Sequence, residues 1–160
     1  MKDAIGSSLL LYIVIFIVGI VLILLVNSLA YSKAFKVKNR IINQITETGA
    51  FNVSKVDSDL ATVGYELNKN TDCSKTNYYR NNNCSAADGV LYAGCNPNTK
   101  IEIINVTPTY DYCVYKTTLS DNSYYYSVVT FTHFELPLVG GLARYEVSGE
   151  TKRLGINYDY

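Results

Sequence analysis

The sequence has little of what metal or nucleophilic chemistry requires: one histidine and four cysteines in 160 residues. No nucleophile–base pair, phosphate loop, metal constellation or cofactor fingerprint stands out, so no enzymatic activity and no cofactor are expected. An excess of either charge is also missing, with Lys+Arg and Asp+Glu at 14 each. That excludes a strongly basic nucleic-acid binder and a highly charged disordered chain. Proline is missing before Pro97. Charge is missing altogether from Leu9 to Val26, eighteen residues in which only Tyr12 and Gly19 interrupt the aliphatics and Phe16. The polar stripe that a buried soluble helix of this length would carry is missing there too.

As a helix, that run spans about 27 Å, close to the roughly 30 Å of a bilayer's hydrocarbon core. A cleaved secretory signal has an apolar stretch of about 7–15 residues and a small-residue cleavage site, which Asn27-Ser28-Leu29-Ala30 imitates only weakly. A retained membrane helix is therefore expected. The cysteines, Cys73, Cys84, Cys95 and Cys113, show no paired C-x-x-C spacing. Zinc ligands usually include a pair two to four residues apart, so no metal is implied and two structural disulfides fit better. Three connectivities are open. Cys73–Cys84 with Cys95–Cys113 is preferred, because the second pair would join neighbouring strand ends.

Orientation is contested within the sequence. Lys2 precedes the apolar run beside Asp3, whereas Lys33, Lys36, Lys38 and Arg40 follow it. Flanking charge alone would leave the large C-terminal part in the cytoplasm. Disulfides require an oxidising compartment, and large domains translocate despite flanking charge, so the N-terminus is placed inside and the domain outside.

Beyond the apolar run, Ala34, Val37, Ile41 and Ile45 recur at three- and four-residue intervals and mark one helical face. Lys33, Lys36, Arg40 and Asn43 lie on the other side, and Gly49 is a C-terminal stop. One long helix from about Leu9 to Thr48 is predicted, lipid-facing in its first half and amphipathic in its second. A second helix is predicted from Asp57, capped by Asp57 or Ser58, to about Leu67, with Leu60, Val63 and Leu67 as its apolar stripe. Asn68 to Asn83 reads as an irregular loop. Tyr112–Leu119 and Tyr124–Leu136 are strand-like, joined through Ser120-Asp121-Asn122-Ser123, with Pro137 ending the second and Gly140-Gly141 turning the chain. Leu142–Ser148 and Thr151–Leu154 add strand material, and Gly89–Gly94 and Lys100–Val106 are short candidates. The predicted class is α+β: a long helix covering one face of an antiparallel sheet of three or four strands. The divisions are 1–8 as a cytoplasmic leader, 9–26 as a transmembrane helix, 27–49 as its amphipathic extension, and 50–160 as an extracytoplasmic domain with a disulfide-bearing loop at 68–113.

This layout is pilin-like, and it resembles the TadE-like minor pilins of tight-adherence pili. The matching stretches are Leu9–Gly49, the Leu60-Ala61-Thr62-Val63-Gly64-Tyr65 segment, and Tyr124–Leu154. The last reads YYYSVVTFTHFELPLVGGLARYEVSGETKRL, a strand, a Pro-containing turn and a strand ending in a polar Glu-Thr-Lys/Arg segment. The resemblance implies cleavage by a prepilin peptidase after Gly6, with Ser7 as the new N-terminus and Tyr12 where the family carries an aromatic. It implies as partners other pilin-like subunits, a pilus or secretion assembly platform and the lipid bilayer. It also implies residence in the cytoplasmic membrane as a single-pass protein with its domain at the cell surface, or incorporation into a pilus. Leu11 departs from the family, which has Glu at that place to pair with a neighbour's N-terminal amine. The departure fits a tip or priming subunit, which need not dock beneath another copy.

The remaining candidates are few. His133 has no His, Cys or carboxylate cluster near it in sequence, with only Glu135 two residues on, and reads as a sheet residue. Tyrosine makes up 15 residues. Tyr124 to Tyr126 read as strand packing, whereas Tyr78-Tyr79, in a loop, are candidate contact residues for a partner or a surface. The Lys33 to Arg40 charges form a solvated face compatible with anionic headgroups.

Overall fold

The computed structural model describes residues 2–67, 71–82, 99–105, 108–136 and 141–155, and for 2–7, 134–136 and 141–143 the backbone alone. A single helix, α1 (Lys2–Thr48), begins earlier than the sequence suggested and runs 47 residues, about 70 Å. Through Val26 its described side chains are exposed or half-buried. It is the one helix, among the described residues, long and apolar enough to cross a membrane, and none of its apolar window is buried. From Ala34 onward the predicted face turns inward: Ala34, Val37, Ile41 and Ile45 are all buried. Gly49 stops the helix at φ +71°, its N–H reaching Ile45 O at 2.8 Å, a left-handed position that glycine adopts without a Cβ clash.

The second helix, α2 (Val53–Thr62), starts and ends earlier than expected. Its cap is Asn52, whose Oδ1 accepts from the Lys55 N–H at 3.1 Å, rather than Asp57 or Ser58. Its inward stripe is Val56 and Leu60, whereas Val63 and Leu67, past its end, are exposed. The expected loop at 68–83 instead contains a 3-10 turn (Cys73–Lys75) and a short helix, α3 (Asn77–Asn82). Asp72 caps the turn, and hydrogen bonds from Ser74 and Lys75 hold its carboxyl down at about 2.

Four antiparallel strands follow, β1 (Lys100–Ile103), β2 (Tyr112–Thr118), β3 (Tyr124–Leu136) and β4 (Gly141–Glu150), in the order β1-β2-β3-β4. The β2–β3 turn uses Asn122 at φ 62°, a residue type that tolerates the left-handed region. Thr151–Leu154 contributes only an isolated bridge between Leu154 and Tyr124. The Gly89–Gly94 candidate lies outside the described residues.

Both faces of the sheet are covered, where one was expected. On the first, Val37, Ile41 and Ile45 of α1 and Val56 and Leu60 of α2 pack on Tyr112, Val114, Tyr126 and Val128. On the second, Cys113, Tyr115, Val129 and Phe131 pack under Cys73, Tyr78 and Tyr79. The disulfide that fastens this second layer joins Cys73 to Cys113. It corrects the preferred pairing of Cys73 with Cys84 and of Cys95 with Cys113, because the 3-10 turn lies directly over the start of β2. Cys84 and Cys95 lie outside the described residues.

Helix α1 lies close on the sheet. Thr130 donates its Oγ1 proton to Ala34 O at 3.1 Å. Replacing Ala34 with leucine is therefore expected to overpack this contact and cost about 1–3 kcal/mol, measured as a lower urea midpoint. Lys38 departs from the solvated charge face: it is buried, its Nζ lies 3.4 Å from Ser148 O and 4.1 Å from the Phe35 ring centroid, and burial lowers its pKa.

Candidate functional site

Polar side chains from five segments converge at the end of the domain where α1 enters it. Tyr65 begins the arrangement after α2 by donating its buried hydroxyl to Asp111 O at 3.2 Å and Phe131 O at 3.0 Å. Glu66 O then accepts from the Asp111 N–H at 3.0 Å, and Leu67 forms an antiparallel bridge with Tyr110. These backbone bonds seat Asp111, 1% exposed, at the head of β2 beside β3 and β4.

The Asp111 carboxylate is almost wholly desolvated, and its partners compensate that cost. Its Oδ1 accepts from the Thr71 hydroxyl and lies 3.4 Å from Arg144 Nη2. Arg144 also donates to Thr71 Oγ1 at 2.7 Å and stacks its guanidinium 3.6 Å from the Phe131 ring centroid. Oδ2 makes no hydrogen bond and faces His133 Nε2 at 3.5 Å. The other ring nitrogen, Nδ1, lies 3.1 Å from Glu66 Oε2. His133 thus links a buried carboxylate to an exposed one.

This cluster was invisible in the sequence, where its members stand at 66, 71, 111, 133 and 144. The one available signal was the strand pairing of His133 with Arg144. The donor atoms of Glu66, Asp111 and His133 lie within 4.8 Å of one another, the span of a divalent-cation site. Yet the two carboxylates meet different ring nitrogens, whose lone pairs point away from each other across the imidazole. With both nitrogens facing carboxylates, neither is aimed at a hydroxyl or thiol, as a nucleophile–base pair requires. The arrangement is suited to clamping segments together. Asp111→Ala is expected to cost about 2–3 kcal/mol, below the range for a fully buried pair because Arg144 keeps part of its hydration. Asp111→Asn should lose less, since an amide oxygen still accepts from Thr71 and Arg144; urea unfolding of both variants checks the order.

The other predicted site residues are distributed differently. Tyr78 and Tyr79 lie on α3 and stack on Tyr115, with centroids 5.3 and 5.7 Å apart from it. Tyr78 donates to Ser127 Oγ at 2.6 Å and Glu150 Oε1 at 3.0 Å. These two rings therefore serve the second sheet face. The Glu146 carboxylate of β4 accepts from the Asn77 and Tyr78 N–H groups at 2.9 and 3.1 Å, satisfying the start of α3. Gly6 and Ser7 lie within α1, far along the chain from the cluster. A cleft of about 370 Å³ opens beside α3, lined by Asn82, Thr99, Thr117, Tyr125, Glu150 and Arg153 among others. Its walls are mainly polar, unlike the apolar lining of small-molecule sites. Comparison of the chain with protein-family models, with curated proteins and with solved structures finds no match.

Proposed function

We propose that this protein is a membrane-anchored, pilin-like structural subunit, a minor pilin or pseudopilin of a tight-adherence-type pilus or secretion system. The observation that carries the reading is the division of α1. One continuous helix offers lipid an apolar half on every side and packs its second half, by one face, on a four-stranded antiparallel sheet. Such a helix holds the subunit in the cytoplasmic membrane before assembly, and helix–helix packing can replace lipid contact inside a filament. The Cys73–Cys113 disulfide supports a domain on the oxidising, outer side. The partners are other pilin-like subunits, the assembly platform and the bilayer, with a prepilin peptidase acting between Gly6 and Ser7. No catalysis and no nucleic acid enter this role, which is filament assembly or surface adhesion.

The test is shearing of the cell surface followed by sedimentation and immunoblotting. The proposal expects a fraction of the chain in the sheared, sedimentable filaments. A chain found only in membranes, in a stable one-to-one complex with a membrane partner, would instead make it a permanently anchored accessory domain, the reading that Leu11 favours.

A further inference from the structure

Large apolar side chains left exposed beyond the membrane run are concentrated at one end of the domain. Leu29 (72% exposed), Tyr31 and Phe35 project from α1, Val63 and Leu67 (64%) from the chain after α2, and Tyr145 (56%) from β4. Three contacts place them at a common level. Lys33 Nζ donates to Gly64 O at 2.7 Å, which ties the 63–67 segment to α1 just past the apolar run. Glu66 meets His133 on β3, at the same end. Strand β3 runs antiparallel to α1, since Val128 pairs with Gly149 beside Lys38 while Thr130 meets Ala34. Thr132 and its partner Tyr145 therefore lie on the membrane side of Ala34.

The distances fit a bilayer surface. From Val26 to Ala34, the first buried residue among those of α1 whose side chains are described, the helix rises about 12 Å. The headgroup layer adds roughly 5–8 Å outside the hydrocarbon core, so Leu29, Tyr31 and the 63–67 segment fall at its depth. Tyrosine is suited to that layer, with an apolar ring and a polar tip. Lys33, exposed about 10 Å beyond Val26, has a side chain long enough to reach anionic headgroups at the layer's outer edge.

We propose that this rim is a membrane-docking surface: Leu29, Tyr31, Val63, Leu67 and Tyr145 rest in the phospholipid headgroup layer and seat the domain directly on the bilayer. The docking rests on the reading of α1 as a membrane anchor. It continues the lipid-facing surface of the helix sideways onto the domain. Before assembly the domain is held in one orientation rather than swinging on a stalk.

The chain contains no tryptophan, so single introduced tryptophans report their own surroundings. The full chain would be reconstituted into vesicles of phosphatidylcholine and phosphatidylglycerol, plain or brominated at the headgroup end of the acyl chains. Leu67→Trp and Tyr145→Trp are expected to lose emission in brominated vesicles, as Ile17→Trp within the span does. Val53→Trp, exposed at the far end of the domain, is expected to keep its emission. Quenching at Ile17 but at neither rim position would overturn the docking and leave the anchor standing. No quenching at Ile17 would remove the anchor, and the docking with it. Rim emission that follows protein-to-lipid ratio but not bromination would mean that a second copy covers the rim, which also overturns the proposal. Two rim positions on separate segments guard against the failure of one variant to fold.

Discussion

Removing the Cys73–Cys113 crosslink is expected to destabilise the domain by about 4 kcal/mol. The two cysteines are 40 residues apart in sequence. On the chain-entropy account, a bridge closing a loop of that length restricts the unfolded chain by roughly that much. A domain of this size has only about 5–15 kcal/mol to lose. The loss is concentrated on the second sheet face, because the 3-10 turn and α3 have no other covalent tie to β2. Noncovalent ties remain: Tyr115 donates its hydroxyl to Cys73 O at 2.8 Å and meets Thr76 Oγ1 at 2.6 Å. A Cys73→Ser/Cys113→Ser double variant, which leaves no thiol of the pair to mispair, should show a much lower urea midpoint. A change below about 1 kcal/mol would mean that the Tyr115 and Asp111 contacts already hold the loop in the unfolded ensemble, against the entropic account.

Alkaline pH is expected to unfold the domain over a narrow range. Tyr65, Tyr112 and Tyr115 are buried, and burial pushes all three phenols well above their ordinary pKa. The Asp111 carboxylate adds to the shift at Tyr65, and the hydrogen bond to Asp57 adds to it at Tyr112. The folded value is raised, so below the unfolded value of about 10 both states hold their protons and stability is complete. Above it the unfolded chain ionises first, and stability falls until the folded values are passed. Three such groups together remove at most about 4 kcal/mol per pH unit above 10, so the domain should unfold by about pH 12. Of the fifteen phenols followed by ultraviolet absorbance, at least three should ionise only together with the loss of circular dichroism. Ionisation of all fifteen before unfolding would contradict the burial assigned to these three.

The elements readable from sequence were those in which local pattern and tertiary packing agree. The face Ala34, Val37, Ile41 and Ile45, the stop at Gly49 and the whole of β3 fall where hydrophobic period and turn residues put them. Where several residues could do one task, the pattern misled. Asn52, Asp57 and Ser58 are all good caps, and only Val56 packing inward shows that the first is used. Helix α3 is built mainly of Asn and Tyr, middling helix formers, and is held by Glu146 and by stacking on Tyr115, neither of which is near in sequence. The cluster around Asp111 and the pairing of Cys73 with Cys113 depend on the same long-range closure. His133 looked isolated for that reason, although both its ring nitrogens have carboxylate neighbours.

The central claim is that α1 crosses a membrane once and carries the disulfide-bonded sheet domain on the outer side. Two single-cysteine additions test it: Ser120→Cys in the exposed β2–β3 turn, and Lys2→Cys before the apolar run. A membrane-impermeant maleimide applied to intact cells, with the outer envelope opened where there is one, should label the first. It should label the second only after the cytoplasmic membrane is broken. Labelling of Lys2→Cys alone before lysis, or of neither position, would place the domain in the cytoplasm and contradict the account.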